Sequence, residues 1–158
     1  MLPMSARAWV VISGLLACLT TPACAGSSNQ PSPDQSAAAG TYTLTAINGV
    51  APPVVTIAQS VCPPGVVDSG SLVMEASGGY TLQLNAHFTC LSSNNNVTTR
   101  EQGSWTASGS TATFTGPNIL GPTGATLNGR TLSVSMNVTS YGSPSENNGQ
   151  KVPTTWSK

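Results

Sequence analysis

From Gly40 onward, hydrophobic and polar residues alternate with a period of two along most of this chain. The longest unbroken run begins at Tyr80. Tyr80, Leu82, Leu84, Ala86, Phe88 and Cys90 face one way; Thr81, Gln83, Asn85, His87 and Thr89 face the other. A period of two puts one face against a core and the other in water, as in a half-buried β-strand. The preceding run offers Leu72, Met74 and Ala76 to the same side, and Ala76-Ser77-Gly78-Gly79 supplies a tight turn between the two. With Met74 opposite Tyr80, the runs form a hairpin bracketed by cysteines. Two residues of slack, from bulges or from the Pro63-Pro64-Gly65 entry, bring Cys62 opposite Cys90, so the spacing predicts a disulfide there.

The same alternation recurs on either side. Residues 41–46 turn Tyr42, Leu44 and Ala46 inward, and Asn48-Gly49 is a strong two-residue hairpin signal because both residues tolerate positive φ. Pro52-Pro53 forces an extended start to residues 54–57 and removes ladder donors, which predicts an edge strand or a short connector. Residues 92–96 read as a polar turn. A turn at Gly109-Ser110 sets Ala107 opposite Ala112 and Trp105 opposite Phe114, a favourable aromatic pair on the inward face. A turn at Asn128-Gly129 sets Leu127 opposite Arg130 and Ala125 opposite Leu132. Residues 141–150 form a long polar loop, and residues 152–156 a short closing strand.

About eight strands in simple order, most joined by tight turns, predict an all-β fold: a small up-and-down antiparallel β-barrel, whose closure removes exposed edges. A barrel of that size has room for side chains or for one small ligand. The inward residues include Tyr42, Leu72, Leu82, Leu84, Phe88, Trp105, Phe114, Leu132 and Met136, enough bulk to fill it.

Composition narrows the function. At 158 residues the chain has room for one domain; 6% of residues are charged and the formal net charge is zero. Five cations build no basic patch, so nucleic-acid binding has no electrostatic footing.

Residues 1–25 read as an export signal: Arg7, then an apolar run over residues 9–19, then small residues, too short to remain as a membrane helix. Ala23-Cys24-Ala25 fits ordinary signal peptidase. Leu15-Leu16-Ala17-Cys18 resembles a bacterial lipobox, which makes Cys18 a candidate for lipidation, with Cys24 a second candidate. Cutting after Ala25 leaves only Cys62 and Cys90. The product is therefore expected to be exported: periplasmic, secreted, or held at a membrane through an N-terminal lipid. Residues 26–39 carry no large apolar side chain and read as a flexible linker, with the barrel domain at 40–158.

Gly40-Thr41-Tyr42 is similar to the Gly-x-Trp opening of lipocalins. The repeated strand–turn–strand units GTYTLTAINGV, SGSLVMEASGGYTL, GSWTASGSTATFTG and NGRTLSVSM resemble those of small bacterial lipocalin-like domains behind export signals. Tyr42 stands where a lipocalin has Trp, and no C-terminal helix follows. The resemblance implies a fold and a location, with no assigned chemistry.

Catalytic constellations are hard to assemble. The one histidine, His87, falls on a wet face. Asp34, Asp68, Glu75, Glu101 and Glu146 show no paired spacing, and there is no G-x-S-x-G elbow and no C-x-x-C pair for zinc or redox chemistry. Neither an enzyme nor a cofactor nor a metal is expected. Arg130, on the inward face beside a turn, is a snorkelling cap over the core or a gatepost for the polar head of a ligand. Trp105, Tyr42 and Phe114 are core plugs or, with Arg130, the lining of a small site for an apolar or amphipathic molecule. Three classes remain: a binding module for such a ligand, a peptidase inhibitor using residues 26–39 as an arm, and a structural module that presents loops.

Overall fold

The computed structural model describes residues 30–57, 65–90, 93–137 and 151–158. Residues 1–25 with Cys18 and Cys24, the Cys62–Cys90 pairing and the polar loop at 141–150 lie outside the described residues. The elements in chain order are a short helix α1 (Pro33–Ala38) and the strands β1 (Gly40–Ile47), β2 (Val54–Ile57), β3 (Gly65–Met74), β4 (Gly79–Cys90), β5 (Ser93–Ser108), β6 (Thr111–Thr115), β7 (Thr123–Asn128), β8 (Thr131–Met136) and β9 (Val152–Ser157). All strand pairings are antiparallel. From β3 to β8 each strand pairs with the next, β9 follows β8, and β1 joins β9 to β3. The result is a closed barrel of eight strands, with β2 added on the β1 side of β3.

Alternation produces the walls. β6 and β8 bury every second residue, and the inward set converges on Trp105, Trp156, Tyr42, Phe114, Leu72, Leu82, Leu84 and Leu132, all nearly inaccessible to solvent. The interior is filled with side chains. A Cβ placed on Gly70 would lie 2.7 Å from a Leu84 methyl and 2.9 Å from the Trp156 ring, so only glycine lets that indole reach the centre. The indole N–H of Trp156 donates to the Thr154 hydroxyl at 2.9 Å, and that hydroxyl donates to the Val134 carbonyl at 2.8 Å, so neither polar group is stranded.

Several registers match the alternation and others depart from it for local reasons. Met74 faces Tyr80, Trp105 faces Phe114 and Ala107 faces Ala112. Asn48 and Gly49 both take positive φ (50° and 79°) and turn the chain back on itself, and β2 pairs only with β3, as its prolines imply. The β3–β4 ladder slips once, with Asp68 as the extra residue between Val67 and Ser69; this provides one of the two residues of slack expected towards Cys62 and Cys90. A bulge at Thr45 shifts the inward parity of β1, so Ile47 is buried in place of Ala46.

The β7–β8 hairpin sits two residues from the expected register. Leu127 faces Leu132 and Ala125 faces Val134, with Gly129-Arg130 as the turn. Only the first turn residue, Gly129, has positive φ (58°), the same Gly-first arrangement as Gly109-Ser110 (56°). The polar turn expected at 92–96 is also displaced: Ser93–Asn96 belong to β5, which pairs with β4 through twelve consecutive positions. Finally, residues 33–38 of the segment read as a flexible linker form α1. Ser32 caps it by accepting from the Gln35 N–H at 3.1 Å, Pro33 occupies the first turn and Asp34 sits where the helix dipole favours an acid.

Candidate functional site

The end of the barrel beneath α1 brings together most of the residues singled out in the sequence. β1 contributes Tyr42, β5 Trp105 and β6 Phe114, and all three side chains are buried in the core. Their polar atoms are satisfied internally. The Tyr42 hydroxyl donates to the Ala38 carbonyl at 2.7 Å, and burial pushes its pKa above the usual tyrosine value. The Trp105 indole N–H is shared between the carbonyls of Glu75 and Gly79, each at 3.0 Å. Phe114 packs its ring against Tyr80 edge-on, centroids 5.4 Å apart.

α1 is tied over this end by side chains from distant parts of the chain. The Gln35 amide donates to the Trp105 carbonyl at 3.1 Å, and the Asp34 carboxylate accepts from the Gly109 N–H at 2.8 Å. The Lys158 ammonium donates to the carbonyls of Ala37, Ala38 and Ala39 at 2.9, 3.4 and 3.1 Å, and lies 5.3 Å from the centre of the Tyr42 ring. Carbonyls at a helix C-terminus attract such a cation.

Arg130 is not part of the inward face. It lies in the β7–β8 turn, exposed, with its guanidinium Nε donating to the Lys158 carbonyl. The two-residue register difference explains this, since it turns a wall position into a turn position. Beside that turn lies an open cleft of about 340 Å³ between α1 and the β5–β6 and β7–β8 turns. Ala37, Ala38 and Leu127 give it apolar surface, while Asp34 and Ser110 are polar at its edge. Arg130 follows a cleft residue, Gly129, without lining the cleft itself.

Glu101 is the residue that reading the sequence missed. It is buried on β5, 4% exposed, and its carboxylate collects four donors. One oxygen accepts the Tyr80 hydroxyl and the Leu120 N–H, both at 2.8 Å; the other accepts the Asn118 N–H at 3.0 Å and the Ile119 N–H. Burial and then the neighbouring Glu101 push the Tyr80 pKa far above its ordinary value. A carboxylate so surrounded pins the β6–β7 connection against the barrel wall. Its one signal in the sequence is parity: Glu101 lies on the same face of β5 as Trp105.

On the outer surface, His87 Nδ1 lies 2.9 Å from both carboxylate oxygens of Asp68, across the β3 bulge. This pair is well exposed and stands apart from Glu101. Further along the same outer face, Arg100 Nε donates to Gln83 at 3.0 Å and the Thr98 hydroxyl donates to Asn85 at 3.0 Å, forming a polar ladder. Among the described residues no three His, Cys, Asp or Glu side chains cluster as metal ligands, and no helix is long and apolar enough to cross a membrane. Compared with known protein families and with curated proteins, the sequence matches no family model and no individual protein.

Proposed function

We propose that this chain is an exported, non-catalytic, lipocalin-like binding module that takes a small amphipathic molecule in the cleft beneath α1, outside the barrel. The observation that carries the reading is the contrast between a filled interior and an open cleft beside the Arg130 turn. Its volume lies at the lower end of the range for small-molecule sites, and an apolar floor with a few polar groups at the edge suits a ligand of mixed character. Arg130, one residue beyond the lining, would meet an anionic head. The reading of a peptidase inhibitor is less favoured, because α1 folds residues 33–38 of the presumptive arm onto the barrel.

The export part of the reading rests on the signal-like residues 1–25, and with it go the Cys62–Cys90 disulfide and the two lipidation candidates, Cys18 and Cys24. Intact mass of the purified product after alkylation without reductant tests these together: a shortened chain carrying no alkyl group on Cys62 or Cys90 is expected. A full-length chain with both thiols labelled would sink the export reading.

Binding is tested by titrating the protein with an anionic, environment-sensitive apolar dye and following dye emission. Saturable binding at micromolar protein is expected, weakened at least about tenfold by Leu127→Trp, which fills the cleft. Absence of saturable binding, or binding indifferent to Leu127→Trp, would move the function to the module's surface.

A further inference from the structure

The outer face where β4 meets β5 carries an open hollow of about 410 Å³ that shares no lining residue with the cleft beneath α1. It is lined by Thr81 and Gln83 of β4 and by Arg100 and Gln102 of β5. The antiparallel register sets these out as a square, with Gln83 directly opposite Arg100 and Thr81 opposite Gln102. All four alternate outward, away from the buried Leu82 and Glu101.

Arg100 is held in place without being neutralised. Its Nε donates to the Gln83 side-chain oxygen at 3.0 Å, which orients the guanidinium. Among the described residues it makes no ion pair, and its two terminal nitrogens, with their N–H groups, have no partner. Neither neighbouring carboxylate competes for it. Glu101, next in sequence, points inward to its own donors, and Asp68 on β3 is held against His87. Beside the guanidinium, Gln102 Nε2 reaches the Thr81 hydroxyl only at 3.5 Å, so this amide and hydroxyl keep capacity both to donate and to accept.

The lining selects the chemistry of a ligand. Four polar side chains bury no apolar surface, so a hydrophobic molecule gains nothing here. A planar guanidinium fork matches a carboxylate through two parallel hydrogen bonds. An amide and a hydroxyl at its side match ring hydroxyls, which also both donate and accept. No aromatic side chain lines the hollow, so a nucleobase has no platform to stack on, and one cation is too little charge for a nucleic-acid backbone. We propose that this hollow binds an acidic saccharide, with its carboxylate on Arg100 and its ring hydroxyls on Gln102 and Thr81. The formal net charge of zero sets no long-range repulsion against such an anion. Because the site is open to water, binding should weaken with added salt.

Titration of the purified, isotope-labelled protein with trigalacturonate, followed by NMR, tests the proposal. Saturable shifts are expected in the side-chain amides of Gln83 and Gln102 and in the Arg100 Nε–H. The amides of Gly109, Ser110 and Gly129 should stay in place, so the outcome does not depend on the α1 cleft being a site. Arg100→Lys keeps the charge without the fork and should weaken binding at least about fivefold. Gln83→Glu gives the guanidinium a carboxylate of its own and should weaken binding at least about tenfold. Galactotriose, which lacks the carboxylates, should also bind at least about tenfold more weakly than trigalacturonate. Absence of saturable shifts at Gln83 and Gln102 overturns the proposal, as does binding untouched by both substitutions or equal for the two trisaccharides. Inorganic sulfate binding as tightly as trigalacturonate overturns it too, reducing the site to a plain anion contact.

Discussion

The two halves of β5 are built from one continuous strand and meet different fates. Around Trp105 the strand is paired on both edges, its indole is buried, and α1 is tied across it through Gln35. Around Val97 it is paired, among the described residues, along the β4 edge alone, and its side chains are exposed on both faces. Strand propensity does not separate them, since Val97-Thr98-Thr99 is as β-favouring a stretch as Trp105-Thr106-Ala107. Burial separates them. Glu101 stands at the boundary, where the backbone of residues 118–120 replaces a neighbouring strand and offers N–H groups to a carboxylate.

If the lower half is the anchor, Trp105→Ala should have the largest effect, about 3–5 kcal/mol of stability by denaturant unfolding, as for other large aromatic deletions from cores. A loss under about 1 kcal/mol would mean that the two halves are held alike, and the comparison would fail. Glu101→Gln comes next. It keeps an acceptor for some of the four donors and sets an amide NH₂ against backbone N–H groups, so roughly 2–3 kcal/mol should be lost. Asp68→Asn is the surface counterpart. Its contact with His87 is more than a third exposed and screened by water, so a change within about 0.5 kcal/mol is expected. Equal effects of Glu101→Gln and Asp68→Asn would remove the distinction between a boundary carboxylate and a solvated one.

How much of this was legible in the sequence varies from one hairpin to the next, for physical reasons. Trp105 and Phe114 are bulky inward residues symmetric about the Gly109-Ser110 pair, so their register could be read directly. At 128–129 the Asn-Gly dipeptide carries the same signature as Asn48-Gly49, yet only the latter turns with both residues at positive φ. At the former the chain turns one residue later, at Gly129-Arg130, and that shift carried Arg130 off the barrel wall. The helix had a readable start in Ser32-Pro33-Asp34-Gln35, but six residues are too few to be helical alone. Its stability comes from docking partners such as Gly109 and Lys158, remote in sequence. Glu101 was hidden for the same reason: three of its four donors are backbone groups, and backbone groups leave no trace in composition. The filled centre was legible as bulk, whereas the cleft is a gap between elements and depends on where α1 docks.

The placement of β9 bears on the order in which the barrel assembles. Neighbouring strands from β3 to β8 pair through short connections, and β1 reaches β3 within a few tens of residues. β9 instead slots between β8 and β1, setting Ser157 opposite Thr43, more than a hundred positions earlier. Closing so long a loop costs entropy that no local contact offsets beforehand. The ribbon from β1 through β8 should therefore form first as an open, curled meander, and ring closure should limit the folding rate. Trp156 gives that late step its driving force, since it is the bulkiest side chain β9 carries and lies opposite both Leu44 and Leu132. Until it arrives, the meander has an unsatisfied seam along β1 and β8, and the interval before closure is when the chain is most open to pairing with the wrong neighbour.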